Sequence, residues 1–241
     1  HMVDDLKFDP SNVTTMVHGI DFERFVDISP GEAKVKAGFK PDDYLVVSMN
    51  RNSFRKMWDT TIKAFLEFLQ REQMNPRIKL YCGCLRYFAR GTDIAMTLRS
   101  ECMRQGMDME RVMNHHVFFS AKPLHLTDAE VNNIYNAGDV GLTTTRGEGF
   151  GLTPVEHMYL NRPQIVTGIP ALKETMGPYA HFVEPKVWVR VGELEPHDGE
   201  GALCDYKDFA DHLQYCFKNP EERPNARDYL KEKYSWDNMY K

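Results

Sequence analysis

The stretch Arg146-Gly147-Glu148-Gly149-Phe150-Gly151-Leu152-Thr153-Pro154-Val155-Glu156 follows a short apolar run, Val140-Gly141-Leu142, and opens a helix-like segment. Three glycines let the backbone approach a ligand closely. Two carboxylates bracket the turn, Glu148 within it and Glu156 beyond it. A helix N-terminus behind a glycine-rich turn is a ready anion site. The combination suits a ligand with both phosphate and hydroxyl groups, such as a nucleotide sugar.

Outward from that stretch, strand-like and helix-like segments alternate, the signature of a parallel sheet with crossover helices. Tyr44-Leu45-Val46-Val47-Ser48-Met49 reads as a buried strand. A helix over 56–70 follows, with Ile62, Phe65, Leu66 and Leu69 on one face. Ile78-Lys79-Leu80-Tyr81-Cys82 is a second strand, with a helix over 93–104 after it. Val117-Phe118-Phe119-Ser120 is a third, and Thr127-Asp128-Ala129-Glu130 matches a capping box opening a helix through Asn136. Further strands are expected at 139–143, 163–167 and 181–183, with a helix over 154–160 after the glycine turn. Residues 186–202 read as an excursion, a hairpin, and helices over 206–217 and 221–233 follow. The expected fold class is α/β, a Rossmann-like doubly wound parallel sheet. Such sheets bind ligands beyond the carboxyl ends of their strands. Asn50-Arg51-Asn52-Ser53-Phe54-Arg55-Lys56 leaves the first strand at such an end, so two separate loops line one crevice.

One large α/β domain accommodates 241 residues, and 42% hydrophobic residues suffice for a sizeable core. Lys+Arg 30 against Asp+Glu 35 leaves a net charge of −5, which argues against a nucleic-acid or membrane-surface partner. No apolar run approaches the roughly 18 residues of a membrane span. No secretory signal is read, so the expected location is cytoplasmic. Five cysteines, an odd count, fit a reducing compartment. Cys82-Gly83-Cys84 lacks a second Cys or His pair at zinc-like spacing and reads as structural, and His115-His116 reads as loop or strand start.

Arg51 and Lys56 are the cations expected to hold a diphosphate, Arg as a planar fork and Lys as a point charge; the alternative is a solvated basic loop. A sheltered contact of this kind is worth roughly 1.5–3 kcal/mol. Arg55 beside them has no role in this reading. Glu156 admits two roles. Thr153-Pro154-Val155-Glu156 is itself a capping-box pattern with an early proline, and a carboxylate there also suits ribose hydroxyls. Glu148, between glycines, has no capping role open to it. It suits sugar hydroxyls or the positive charge developing at a sugar carbon, or it is simply a surface turn carboxylate. Gly149, Phe150, Gly151 and Leu152 supply backbone near sugar and phosphate.

These residues resemble the donor-binding C-terminal domain of a retaining GT-B glycosyltransferase of the family-4 type. That family carries Glu-x7-Glu around Gly-Phe-Gly-Leu, here Glu148 to Glu156, and an Arg and a Lys five positions apart, here Arg51 and Lys56. His18-Gly19-Ile20-Asp21 with Phe25, Asn161-Arg162-Pro163-Gln164-Ile165-Val166, Lys173-Glu174 and Ser235-Trp236-Asp237 extend the resemblance. It runs from about Val17 to Trp236, leaving 1–16 as a tail or interdomain linker and 17–241 as the nucleotide-sugar-binding domain. The resemblance implies that Glu148, Arg51 and Lys56 are catalytic. Gly149, Phe150, Gly151, Leu152, Thr153 and Glu156 would bind the donor, with the loop after Ser120 near the base. It implies transfer with retention from a UDP- or GDP-sugar, leaning to GDP-mannose, without cofactor or metal. No Asp-x-Asp motif occurs in the chain. Partners would be the nucleotide sugar, a glycan or other acceptor, and an N-terminal acceptor-binding domain lying outside this sequence. The chain alone is then expected to bind nucleotide but not to transfer sugar. A GT-B-like epimerase or phosphorylase and a non-catalytic nucleotide-binding module are the alternative readings.

Overall fold

A computed structural model describes residues 7–13, 16–122, 125–191 and 199–239. Six strands, β1 Tyr44–Ser48, β2 Ile78–Cys82, β3 Val117–Phe119, β4 Val140–Thr143, β5 Gln164–Thr167 and β6 His181–Val183, form one sheet. Their order is β3-β2-β1-β4-β5-β6, and every adjacent pair is parallel. The chain winds outward from β1 in one direction and from β4 in the other. The topological switch point therefore lies between these two central strands, where a doubly wound sheet leaves its crevice.

Helices α1 Pro30–Lys36, α2 Trp58–Arg71, α3 Ile94–Gln105, α4 Met109–His115, α5 Asp128–Ala137, α6 Leu152–Tyr159, α7 Pro170–Met176, α8 Tyr206–Lys218, α9 Arg227–Tyr234 and α10 Trp236–Met239 surround it. Their starts follow local chemistry. The Asp93 carboxylate accepts the Met96 N–H at 3.0 Å and starts α3, which ends at Gly106 with φ 65. Thr127 and Glu130 form the capping box of α5 expected from sequence. Trp58, Ile62, Phe65, Leu66 and Leu69 of α2 are buried, and they pack with Phe209, Ala210 and Leu213 of α8 over one sheet face. Leu45, Val47, Tyr81 and Phe118 line the other face beneath α1 and α5. Lys34 and Asp139 form a buried ion pair at 2.8 Å, and the Asp139 carboxylate also accepts the Leu45 N–H. That network pins α1 to the start of β4.

The excursion at 186–202 is a hairpin, β7 Val187–Val191 paired antiparallel with β8 Gly199–Leu203; its residues 192–198 lie outside those described. The helix expected over 221–233 begins only at Arg227. Pro224 disfavours helical backbone at the residue before it, which holds Glu221–Arg223 out of the helix. α1 and α4 were not legible in the sequence. Each is 7 residues long, too short for a helical period to stand out.

Candidate functional site

The crevice is built from the loops that leave β1 and β4. After β1, Phe54–Lys56 forms one tight turn, and Met57 takes a left-handed conformation, φ 51, to start α2. After β4, Thr144 and Thr145 turn their hydroxyls back onto that loop. Thr144 Oγ1 donates to the Met57 carbonyl at 2.9 Å, and Thr145 Oγ1 to the Arg55 carbonyl at 3.2 Å. Arg146 N–H also donates to the Arg55 carbonyl, at 2.9 Å, and the Arg146 carbonyl accepts Ala202 N–H of β8 at 2.7 Å. The glycine turn is thus held between the first loop and the hairpin. Buried Asn52 extends the knit. Its side-chain amide donates to the Leu85 and Thr92 carbonyls at 2.9 and 2.8 Å, fixing the loop after β2 against the same site.

Three charges meet here. The Glu148 carboxylate accepts from the Lys56 ammonium and, at 3.2 Å, from Arg55 Nη1. The Lys56 and Glu148 side chains are 12% and 14% exposed, so the pair is sheltered. Burial draws Lys56 below the usual lysine range, and the Glu148 charge opposes that. Arg55 also donates to the Gly147 carbonyl, so it braces both the turn and its carboxylate. No local pattern signals this role, because its partners lie 92 and 93 residues away along the chain. Arg51 is exposed, and among the described residues nothing pairs with its guanidinium.

The turn ends at Gly151, φ 88, which caps α6 without a side-chain bond. A Cβ on Gly151 would stand 2.4 Å from Leu172 Cδ2, so close packing also demands glycine there. At Gly147 and Gly149 a Cβ would meet nothing within 4 Å. Protein packing does not require glycine at those two positions; an approaching ligand would. The first N–H groups of α6, from Leu152 and Thr153, remain without intrahelical partners, as at any helix start. Phe150 turns inward, its ring 5.5 Å from that of His18 and 5.0 Å edge-on from that of Tyr234, so only its backbone faces the turn.

The capping-box reading of Thr153-Pro154-Val155-Glu156 fails. Because α6 begins at Leu152, Thr153 sits inside the first turn and cannot cap it. The Glu156 carboxylate instead accepts the Tyr135 hydroxyl at 3.1 Å. Glu156 is largely buried, which raises its pKa, while the Tyr135 bond and Arg24 oppose the rise.

Ser120 stands apart from this cluster. Its hydroxyl accepts the Lys122 N–H at 3.3 Å, and it lines a cavity of about 870 Å³ with Val26, Phe39, Tyr81, Phe118 and Leu126. That cavity runs along α1 and α5 and includes none of Arg51, Lys56, Glu148 or Glu156. The convergence of charge and open backbone at the switch point, rather than this cavity, marks the candidate site. Cys82 and Cys84 are buried free thiols, and burial pushes Cys84 up to about 12, leaving it inert at neutral pH. His116 is buried against the Ile78 carbonyl at 2.9 Å. Among the described residues no group of three or more His, Cys, Asp or Glu is placed to hold a metal, and no helix is long and apolar enough to cross a membrane.

The C-terminal domain of a group 1 family glycosyl transferase (LpcC) from Francisella tularensis superposes with a TM-score of 0.65 at 19% identity, covering 90% of this chain and 100% of that one. Anabaena HepE, in complex with UDP and glucose, superposes with a TM-score of 0.67 at 17% identity, covering 94% of this chain and 54% of that one. The fold is that of a GT-B glycosyltransferase C-terminal domain. A curated relative, mannosylfructose-phosphate synthase of Agrobacterium fabrum (strain C58 / ATCC 33970), is 24% identical over 187 residues. That match covers 76% of this chain but only 39% of the relative, so the chain spans about two fifths of that protein's length. No protein-family model matches. Within this domain, the segments around His18 and Trp236 meet each other. Ile20 N–H donates to the Tyr234 carbonyl at 2.7 Å, and the His18 ring lies 5.7 Å from that of Trp236, beside Phe150.

Proposed function

We propose that this GT-B domain binds the donor of a retaining, metal-independent sugar transfer, a UDP- or GDP-sugar with GDP-mannose favoured. The observation that carries this is the sheltered Glu148–Lys56–Arg55 cluster at the switch point, beside the open α6 N-terminus and the unpaired Arg51. The diphosphate draws Lys56 away from Glu148 and is met by Arg51 and by the first N–H groups of α6. Glu148, still braced by Arg55, turns to the sugar hydroxyls. Glu156 takes the ribose hydroxyls, and the loop after Ser120 approaches the base. As the glycosidic bond breaks, the cations stabilise the charge gathering on the leaving diphosphate. That phosphate then helps to deprotonate an acceptor attacking from the same face, which retains configuration. The acceptor, a glycan or another hydroxyl compound, is brought by a separate N-terminal domain. The 241-residue chain alone binds nucleotide and does not turn over.

Calorimetric titration with UDP, GDP and their sugars tests this reading. Binding of one nucleoside diphosphate, weakened strongly in Lys56→Ala, is expected. No binding of either nucleotide, or robust sugar transfer by the chain alone, would count against it.

A further inference from the structure

Beneath the Glu156 carboxylate lies a layer that the reaction scheme does not use. Tyr135, at the end of α5, is buried, yet its hydroxyl reaches Glu156 Oε2 at 3.1 Å. Its ring stacks on the His157 imidazole, with centroids 5.0 Å apart and planes 17° apart. His157 Nε2 donates in turn to the Tyr135 backbone carbonyl at 3.0 Å, so Nε2 carries the proton. Burial lowers the His157 pKa to about 3, which keeps the imidazole neutral at all ordinary pH. Two neighbouring residues of α6 therefore grip one residue of α5, His157 by ring and backbone and Glu156 by its carboxylate. The grip is rigid because every member except Glu156 is fully enclosed.

A carboxylate accepts at both oxygens. Tyr135 occupies one, and among the described residues no hydrogen bond engages the other. A side chain held this way presents a single oriented oxygen to a ligand, without the rotamer entropy a free glutamate would lose on binding. We propose that Tyr135 is a positioning residue: its hydroxyl orients Glu156 for the vicinal ribose hydroxyls of the donor nucleotide, and His157 orients Tyr135. This rests on the ribose role of Glu156 in the function proposed above. Arg24 and His18 from the N-terminal segment and Asp128 from α5 also face Glu156 electrostatically. None of them supplies a hydrogen bond to it.

Tyr135→Phe keeps the ring, its stacking and its burial while deleting the hydroxyl. The test compares affinity for UDP and 2′,3′-dideoxy-UDP, or the GDP pair if GDP binds more tightly, in the 241-residue chain. Tyr135→Phe is expected to weaken UDP by about tenfold, the scale of one hydrogen bond to a charged group, and to leave the dideoxy compound nearly unchanged. The pH below which UDP affinity falls should also move upward, because the lost bond favoured the ionised carboxyl. Glu156→Asp retains the charge but withdraws it from the Tyr135 hydroxyl, and it should lose the same discrimination even if Tyr135→Phe is too unstable to assay. Equal weakening of both ligands by Tyr135→Phe, or wild-type discrimination in Glu156→Asp, overturns the positioning role. Glu156→Gln separates the two levels. If it abolishes ribose discrimination while Tyr135→Phe preserves it, Tyr135 alone is excluded. If the wild-type chain binds UDP and dideoxy-UDP equally, the ribose role of Glu156 falls, and the inference falls with it.

Discussion

Lys56 is the residue on which the proposed chemistry turns, because it is sheltered, paired with Glu148 and placed beside the α6 start. Lys56→Ala is expected to weaken UDP or GDP by at least about tenfold, since a charge-assisted contact is worth roughly 1.5–3 kcal/mol. The free nucleoside should lose almost nothing. Equal weakening of nucleotide and nucleoside would show that Lys56 does not touch phosphate. Glu156 gives a second expectation, on stability. Its folded-state pKa is raised by burial, so the folded state binds the extra proton and stability falls as pH rises from the ordinary glutamate range upward. Glu156→Gln removes that cost. It should raise Tm at neutral pH, leave Tm unchanged near pH 4, and at the same time weaken ribonucleotide. A Tm lowered at neutral pH would contradict the account. The carboxylates, Arg51 and Lys56 stand out in the sequence because glycine spacing and strand ends mark them. Arg55 and Tyr135 do not, since each acts on a residue distant in sequence, with no periodicity to signal it.

At the scale of elements, the β4–α6 connection sets the geometry. Gly151→Ala would add a Cβ at φ 88 and 2.4 Å from a Leu172 carbon in the core. Left-handed strain and overpacking together should cost about 2–4 kcal/mol. Urea unfolding measures it, and a loss below about 1 kcal/mol would mean that the turn relaxes freely. By contrast, Gly149→Ala meets no protein atom and should leave stability within about 1 kcal/mol of wild type while impairing nucleotide binding. The strands and the long helices were readable from apolar runs, periodicity and caps. The start of α6 was misread because a local capping pattern was satisfied by sequence alone. What sets the true start is tertiary: a left-handed glycine pressed against Leu172. The ion pair of Lys34 with Asp139, 105 residues apart, lay beyond sequence reading for the same reason. Asp139→Ala leaves that lysine buried and unpaired and should destabilise by about 3–5 kcal/mol in denaturant unfolding.

Taken whole, the molecule is a doubly wound sheet whose switch point collects the charge, and the sheet order follows from which strands the crossover helices join. If the proposed function holds, joining this chain to an N-terminal acceptor-binding domain produces sugar transfer, and continued silence would count against it. Within that complete protein, Glu148→Ala should lower turnover on the order of 10²-fold, the scale for losing an electrostatic stabiliser. Near-wild-type turnover would remove Glu148 from the reaction. The stitching of the two chain ends, Ile20 to Tyr234 and His18 against Trp236, has a mechanical consequence. Phe150 of the glycine turn rests on both His18 and Tyr234. A torque applied to the polypeptide ahead of His18 is therefore delivered through one aromatic ring to the backbone of the glycine turn. The entering chain and the glycine turn share a single bearing.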